Sequence, residues 1–412
     1  MSELLFLAHR IPYPPDKGDK IRSYHFLRAL AAEHTVHLGT FVDDEADQVH
    51  IPAVRDLCKG EVCIRPLSPR MARMRSSLGL LTGDPLTVAY YRDATMLRWV
   101  REHAERGGLG GVFAFSSSMA QYAEACRPRE RSPRVLDLCD VDSDKWRQYV
   151  ATSSFPMNRV YAREARLLQR LERRFTQSFD RCLVISEAEA SILRDSQGDA
   201  GNVVVVPNGV DIGYFDPALE FASPFDAGFR SVVFTGAMDY YANIDGVVWF
   251  VDNVWRRVHA GAPDALFHIV GSNPTRDVLA LRDRPGVRVV GRVPDMRPYL
   301  AHANVVVAPL RLARGVQNKV LEALAMARPV VATSNALQGI SAAAEGGVRV
   351  ADDGKAFAEQ VLGCLTAAFP GGHAGRDFVT ARFCWQSSLD LVCAMFRAVG
   401  TPVRPGSIAS AA

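Results

Sequence analysis

Residues 309–333 read PLRLARGVQNKVLEALAMARPVVAT, and this stretch says more about the fold than any other part of the chain. The continuous apolar run at 303–310 predicts a buried strand, the apolar spacing within 318–326 predicts a helix, and 329–333 predicts the next strand. When a strand leads through a loop into a helix, the free N–H groups at the positive end of that helix lie at the carboxyl edge of a parallel sheet. The stretch therefore predicts an α/β domain with a site for a diphosphate.

Polar side chains at the start of this helix indicate which ligand the site takes. Asn318 begins the predicted helix, and Lys319 follows it and adds a mobile cation beside the phosphates. Glu322 lies one helical turn further along, where its carboxylate can accept hydrogen bonds from the vicinal hydroxyl groups of a ribose. The three residues together predict a nucleotide-diphosphate pocket.

Composition limits the class of protein. The chain has 412 residues, 48% of them hydrophobic, which is enough for two domains with separate cores. Its net charge of +3 is too small to indicate a nucleic-acid-binding protein. The eight cysteines are scattered without metal-site spacing, so we expect reduced thiols in a cytoplasmic protein and no metal. A basic leader and an apolar run of about 20 residues are both missing, which predicts a protein that is neither secreted nor membrane-spanning.

Short apolar strands alternate with helices in two successive series, as in parallel α/β folds. The first series consists of predicted strands at 3–8, 35–41, 111–115, 134–138 and 181–185. The second consists of predicted strands at 231–235, 265–270, 287–290, 303–309, 329–333 and 347–350. This is a repeat of layout and predicts two Rossmann-like domains.

The boundary between the two domains is predicted within VVVVPNGVD (203–211), where a strand meets Pro207 and an Asn-Gly turn. We expect an N-terminal domain at 1–205 and a C-terminal domain at 206–383. A helix at 384–398 is expected to pack back on the first domain, and the small residues of 400–412 predict a flexible tail.

Several motifs of the second half occur in the order typical of one enzyme class. They are VVVVPNGVDIGYF (203–215), VVFTGAM (232–238), FHIVGSNP (267–274), VRVVGRVPDMRPYL (287–300) and NKVLEALAMARPVVAT (318–333). In these motifs the chain resembles the GT-B glycosyltransferases, and most closely glycosyltransferase family four. The segments HRIPYPPDKGDKIRSYHFLRAL (9–30) and LDLCDVDSDKWRQY (136–149) look like the sugar transferases associated with bacterial exosortase and PEP-CTERM exopolysaccharide systems.

This resemblance implies an α/β GT-B fold, with two Rossmann-like domains whose parallel sheets face an interdomain cleft. It implies a retaining hexosyltransferase that needs no metal and no cofactor and moves a sugar from a nucleotide-diphosphate donor to an acceptor hydroxyl. The nucleotide sugar is a substrate, the acceptor is a saccharide or a lipid-linked saccharide, and the process is exopolysaccharide biosynthesis.

On the donor side, the resemblance assigns roles to individual residues. Lys319 stabilises the leaving diphosphate, Glu322 holds the ribose, and Asn318 belongs to the same site. Close backbone approach to the donor is expected at Gly236 and Gly271, phosphate contact at Arg314 and Gly315, and backbone contact with the base at Arg292 and Val293. Arg314 stands where many relatives carry a glutamate that binds the donor sugar. It could pair with phosphate or with the carboxylate of an acidic sugar, so the donor sugar stays open.

On the acceptor side, two segments carry candidate residues. Gly18, Lys20 and Arg22 follow the first strand and either approach the diphosphate or belong to a solvated loop. Asp140 follows the strand at 134–138, where it could orient or deprotonate the acceptor hydroxyl. The competing interpretation of this acidic segment is that Asp142 or its neighbour Ser143 caps the next helix.

Two basic segments raise the question of membrane contact. RPLSPRMARMR (65–75) mixes arginines with apolar residues and suits either an anionic membrane surface, at the inner face of the membrane, or a solvated helix. The segment 160–175 has apolar residues at helical spacing and is interpreted as a core helix.

Two other functions share the predicted design. A sugar-nucleotide epimerase of the same fold would act without an acceptor, and a non-catalytic scaffold of a polysaccharide complex would lack turnover. A reductase is disfavoured because the first strand–helix loop lacks GxGxxG.

Overall fold

The computed structural model describes residues 2–15, 18–126, 132–195, 201–313, 316–340, 347–366 and 372–397. The chain forms two compact units. The first consists of the residues up to Pro207 together with those from Gln386 onward, and the second is Asn208–Trp385.

The first unit contains a seven-stranded sheet in the order β3-β2-β1-β4-β5-β6-β7, with parallel pairing throughout its described strands. The strands are β1 (Glu3–Ala8), β2 (Thr35–Val42), β3 (Lys59–Pro66), β4 (Leu109–Phe115), β5 (Arg134–Cys139), β6 (Arg181–Val184) and β7 (Val203–Val205). The helices are α1 (Gly18–Glu33), α2 (Ile51–Cys58), α3 (Pro69–Thr82), α4 (Leu86–Tyr90), α5 (Ala94–Arg106), α6 (Ala120–Ala123), α7 (Asp142–Thr152), α8 (Met157–Ser178) and α9 (Glu187–Asp195). Residues 4–8 of the central strand β1 are all buried, because helices cover both faces of the sheet.

The second unit contains a six-stranded parallel sheet in the order β10-β9-β8-β11-β12-β13. The strands are β8 (Arg230–Thr235), β9 (Ala265–Val270), β10 (Val287–Gly291), β11 (Val305–Ala308), β12 (Val330–Ala332) and β13 (Val348–Val350). The helices are α10 (Tyr241–Phe250), α11 (Arg256–Gly261), α12 (Arg276–Ala280), α13 (Arg297–Ala301), α14 (Asn318–Ala325), α15 (Gly354–Thr366) and α16 (Gly372–Arg382). The prediction of two parallel Rossmann-like domains is confirmed.

The last described helix, α17 (Trp385–Arg397), packs against the first unit from Gln386 onward. The ring of Phe396 lies 6.4 Å from that of Phe113 in β4, and Ser388 Oγ donates to the carbonyl oxygen of Pro207 at 2.9 Å. Arg397 pairs with Glu33 at the end of α1. The tail predicted at 400–412 lies outside the described residues.

Two elements differ from their predictions. The edge strand β3 was not predicted, because Lys59, Glu61 and Arg65 interrupt its apolar pattern. Helix α1 begins at Gly18, so the candidate residues Gly18, Lys20 and Arg22 all lie within a helix and not in a loop. No helix in the described part of the chain is both long and apolar enough to cross a membrane.

Candidate active site

Two glycines bring neighbouring strands of the second unit into close backbone contact at the carboxyl edge of its sheet. Gly236 follows β8, and its N–H donates to Val270 O, at the end of β9, at 3.1 Å. Gly271 follows β9, and a Cβ atom built on it would lie only 1.7 Å from Gly236 O. Any larger residue at 271 would displace the backbone at Gly236, so this edge depends on glycine.

Lys319, in the first turn of α14, is held beside this glycine pair. Its Nζ donates to Asn243 Oδ1 at 2.5 Å and lies 4.3 Å from the centre of the Phe234 ring. A Cβ atom on Gly236 would come within 3.1 Å of the same Nζ. The ammonium group therefore lies beside the backbone of Gly236, where a side chain on residue 236 would crowd it.

Asn243 was not predicted as a site residue. Its amide Nδ2 donates to Ala237 O at 2.8 Å, which turns its Oδ1 towards Lys319. The only sequence signal for it is its position in the first turn of α10, shortly after β8.

The acid and the lysine of α14 share a partly dehydrated environment. Both side chains keep some exposed surface, yet surrounding protein atoms withdraw enough water to disfavour charge. This desolvation lowers the pKa of Lys319 to about 7, an effect that the charge of Glu322 partly opposes. It raises the pKa of Glu322 to about 7, and the Lys319 charge opposes that shift. Small changes at this site, such as the arrival of an anion, therefore decide whether Lys319 is charged.

The remaining donor-side candidates differ in how much the structure says of them. Asn318 Oδ1 is buried and has no hydrogen-bond partner among the described residues. Arg292 and Val293 directly follow Gly291, whose carbonyl accepts from the Gly271 N–H at 2.9 Å, so they begin at the same edge. Arg314 and Gly315 lie outside the described residues.

In the first unit, the two candidate cations of α1 have carboxylate partners. Lys20 Nζ lies 2.7 Å from Asp47 Oδ2, and the lysine side chain is 1% exposed. Arg22 Nε donates to Asp137 Oδ2 at 2.7 Å, and its Nη1 donates to Val206 O at 2.8 Å. Both cations are thus held by carboxylates within the first unit, and their predicted approach to the diphosphate stays a prediction.

Gly18 is the first residue of α1, and a Cβ atom built there would meet nothing within 4 Å. This open space is compatible with close approach of a substrate and equally with a solvated helix start. The acceptor-side role of Gly18 stays a prediction.

The start of α7 is stabilised by acids that were not predicted. Val141 N donates to Glu189 Oε2 at 2.6 Å, and Ser143 N donates to Glu172 Oε1 at 2.9 Å. Asp142 instead accepts a hydrogen bond from Ser117 Oγ. The alternative in which Asp142 or Ser143 caps this helix is therefore wrong, because the two glutamates supply the acceptors.

Asp140 lies between β5 and α7, half-buried at the carboxyl edge of the first sheet. It directly follows Cys139, whose φ of 61° turns the backbone out of the strand. A second polar group at this edge is the pair formed by His9 Nε2 and Asp19 Oδ2, 3.2 Å apart. Hydrogen bonding to His9 and the charges of His9 and Arg10 hold the pKa of Asp19 below its usual range, despite its burial.

Among the described residues, no group of three or more His, Cys, Asp and Glu side chains could hold a metal ion. The candidate site of the second unit consists of one lysine, one glutamate, two asparagines and glycine backbone. Such a set suits an anionic ligand with hydroxyl groups.

Comparison with known families decides the class of the protein. Residues 20–209 match the model of a glycosyl transferase 4-like domain, and residues 230–367 match the model of glycosyl transferases group 1. The protein is a glycosyltransferase with the GT-B fold. None of the curated proteins matches this glycosyltransferase in sequence.

Solved structures resemble this glycosyltransferase over nearly its whole length. Sucrose-phosphate synthase (tll1590) from Thermosynechococcus elongatus has a TM-score of 0.70 at 18% identity, covering 97% of this chain and 99% of its own. Anabaena Alr3699/HepE, in complex with UDP-glucose, has a TM-score of 0.65 at 16% identity, covering 97% and 100%. WaaG, a glycosyltransferase involved in lipopolysaccharide biosynthesis, has a TM-score of 0.65 at 14% identity, covering 95% and 99%. At these identities the likeness concerns the fold.

Proposed function

We propose that this glycosyltransferase transfers a sugar, with retention and without a metal, from a nucleotide-diphosphate donor to an acceptor hydroxyl in exopolysaccharide biosynthesis. One observation carries the proposal. The ammonium group of Lys319 is fixed by Asn243 beside the open backbone of Gly236, at the carboxyl edge of a parallel sheet and at a helix start. Diphosphates bind at such positions.

The chemistry of transfer needs positive charge at this place. As the glycosidic bond breaks, the leaving diphosphate gains negative charge while the sugar becomes oxocarbenium-like. A cation fixed in a partly dehydrated site stabilises that charge more in the transition state than in the ground state. Lys319 is suited to this role, since arrival of the diphosphate offsets the desolvation that disfavours its charge.

The rest of the donor site follows from its position relative to Lys319. Glu322 interacts electrostatically with Lys319 and, as a carboxylate, would accept hydrogen bonds from the ribose hydroxyl groups. Asn318 Oδ1, buried without a partner among the described residues, would accept from a further donor hydroxyl. Gly236 and Gly271 let the backbone approach the phosphates, and the backbone of Arg292 and Val293 would contact the base.

The donor base is proposed to be uracil, because HepE was solved with UDP-glucose. We propose a saccharide or lipid-linked saccharide as acceptor, with Asp140 orienting its hydroxyl. The donor sugar remains open because Arg314 replaces the usual glutamate.

A thermal-shift measurement tests the donor site. UDP and UDP-glucose are expected to raise the melting temperature of the parent protein, because ligands that bind only the folded state stabilise it. Glu322→Ala and Lys319→Met should each lose most of this shift. Glu359→Ala and Lys355→Met change exposed residues of α15 in the same unit and serve as matched controls. An undiminished shift in both site variants would contradict the assignment.

Turnover experiments test the reaction. Product from an accepted nucleotide sugar should keep the anomeric configuration of the donor, as seen by NMR, and EDTA should leave the rate unchanged. Isomerised nucleotide sugar formed in the absence of any acceptor would instead identify an epimerase.

A further inference from the structure

Helix α8 presents a row of arginines to solvent. Arg159, Arg166, Arg170 and Arg173 are all exposed. Their spacings of seven, four and three residues place them within a sector of about 60°, over a length of about 21 Å. The four side chains therefore form one continuous stripe along the helix, which we call the arginine stripe.

The opposite face of α8 is buried and contains both acids of the helix. Glu164 accepts from the N–H groups of Leu86 and Thr87 at 2.7 and 2.9 Å, and so holds the start of α4. Glu172 accepts from Ser143 N at 2.9 Å. Both acidic side chains of α8 thus point inward, and the charged residues of its outer face are all arginines.

Within the described part of the chain, none of the four arginines of the stripe forms an ion pair. Neighbouring arginines do: Arg174, on the same helix, pairs with Glu124, and Arg147 of α7 pairs with Asp144. Four like charges in one row repel each other, and an external anionic surface would remove that repulsion.

Exposed apolar side chains lie at the end of the α7–α8 hairpin, within four residues of Arg159, the first arginine of the stripe. Phe155 in the connecting turn is 75% exposed, and Met157 at the start of α8 is 43% exposed. Behind them, Trp146 of α7 packs against Tyr161 of α8 with ring centres 5.2 Å apart, and against Tyr149 at 5.7 Å. Aromatic clusters with apolar side chains in front of them are typical of the boundary between water and lipid.

A shallow groove of about 390 Å³ lies along the same hairpin, with Arg166 among the residues that line it. Four apolar residues line it, together with the polar side chains of two arginines and a glutamine: Val150, Ala151, Ala162, Ala165, Arg147, Arg166 and Gln169. The groove offers a hydrocarbon contact beside a cation that can pair with phosphate.

Helix α3, which contacts α8, carries a second set of exposed basic and apolar side chains. Arg163 Nη2 of α8 donates to Gly79 O of α3 at 2.7 Å, which ties the two helices together. Met71 and Met74 of α3 are 67% and 68% exposed, and Arg70 and Arg73 beside them are exposed as well.

We infer that the outer face of α8, the hairpin end at Phe155 and Met157, and helix α3 form a docking surface for an anionic lipid bilayer. The arginines match phosphate headgroups, and the apolar side chains match the boundary of the acyl chains. An extended polyanion such as an acidic polysaccharide would need only the charges and would leave the methionines and Phe155 in water. This inference is independent of the proposed donor chemistry.

Vesicle sedimentation of the full chain tests the arginine stripe. The protein should pellet with vesicles of phosphatidylcholine mixed with phosphatidylglycerol, pellet far less with phosphatidylcholine alone, and dissociate at high salt. The triple variant Arg166→Glu, Arg170→Glu, Arg173→Glu should bind the mixed vesicles about 100-fold more weakly or worse. The control triple variant Arg256→Glu, Arg276→Glu, Arg282→Glu makes the same charge change at exposed residues of the second unit and should bind like the parent.

A second variant tests the apolar part of the surface. Phe155→Ser with Met157→Ser should weaken binding to mixed vesicles about tenfold, because less apolar surface enters the interface. Phe229→Ser changes an exposed phenylalanine of the second unit and is the control. Activity on a soluble acceptor should stay unchanged in all these variants, which separates failed docking from failed catalysis.

Three results would overturn the inference. The first is equal binding to neutral and mixed vesicles, and the second is undiminished vesicle binding by the stripe variant. The third is a parent protein that never pellets with vesicles but binds heparin, with the stripe variant losing that heparin binding. The last would identify a polyanion site instead. If charge reversal prevents folding, the triple alanine variant of the same arginines gives the same comparison with a smaller expected loss.

Discussion

Lys319 and Glu322 lie one helical turn apart, and desolvation moves the pKa of each to about 7, from opposite directions. The proposed donor complex needs the charged form of both. Below pH 7 Glu322 gains a proton, and above pH 7 Lys319 loses one, so binding must expel a proton at low pH and take one up at high pH. Each requirement weakens binding.

We therefore predict a bell-shaped pH dependence of UDP-glucose affinity with its maximum near pH 7. Affinity should fall on either side by up to about tenfold per pH unit, as expected for one proton on each limb. Glu322→Gln should flatten the acidic limb, and Lys319→Arg should flatten the alkaline limb because a guanidinium stays protonated. Titration calorimetry across pH 5 to 9 measures this, and a flat profile in the parent protein would refute it.

At the scale of single elements, the start of α7 shows how burial couples helix capping to pH. Glu172 accepts from Ser143 N and is 2% exposed. Burial is the main cause that raises its pKa to about 8, while the hydrogen bonds from Ser143 oppose the shift. Because the folded pKa exceeds the unfolded one, the stability linked to this proton is complete at low pH and is lost as pH rises towards 8.

We predict that Glu172→Gln makes the protein more stable than the parent at pH 8.5 and nearly equal to it at pH 5. The gain is at most about 5 kcal/mol, since each pKa unit corresponds to about 1.4 kcal/mol. Glu172→Ala should lose the helix cap and be about 1 to 2 kcal/mol less stable than Glu172→Gln at both pH values. Urea unfolding at the two pH values measures these effects, with Glu102→Gln on the exposed face of α5 as control. A Gln variant with the pH dependence of the parent would be inconsistent with this account.

The elements that could be predicted from sequence are those whose own residues show that the element is buried. The four inner strands of the second unit, β8, β9, β11 and β12, are near-continuous apolar runs and were predicted because parallel strands inside a sheet are buried on both faces. The edge strands β10 and β13 were predicted as well, although Arg288 and Arg349 interrupt them. The edge strand β3 was not, because a half-exposed strand with three charges does not stand out from a loop.

Helix α8 was interpreted as a core helix, and its period was predicted correctly, since Leu168 and Phe175 are buried. What the sequence could not show is which charges find partners, because an ion pair depends on elements distant in the chain. Asn243 escaped prediction for the same reason, since its partner Lys319 lies 76 residues away. The caps of α7 likewise come from α8 and α9.

At the scale of the whole molecule, the residues proposed for donor binding all belong to the second unit, whereas Arg22 lies in the first, where it forms a buried ion pair. Its guanidinium joins α1 to β5 through Asp137 and to the segment before Pro207 through Val206 O. Removing one partner of a buried ion pair leaves the other charge uncompensated and costs about 3 to 5 kcal/mol.

We predict that Arg22→Met lowers the unfolding midpoint of the first unit and leaves UDP-glucose affinity unchanged within about twofold, since a factor of two corresponds to only about 0.4 kcal/mol. The double variant Arg22→Met with Asp137→Leu should recover much of the lost stability, because no buried charge is left alone. Arg28→Met alters an exposed arginine of the same helix and is the control. Calorimetric unfolding and titration with UDP-glucose measure the two effects separately. If the folded double variant binds UDP-glucose at least tenfold more weakly than the parent, Arg22 contacts the diphosphate, as the sequence first suggested, and the purely structural role is wrong.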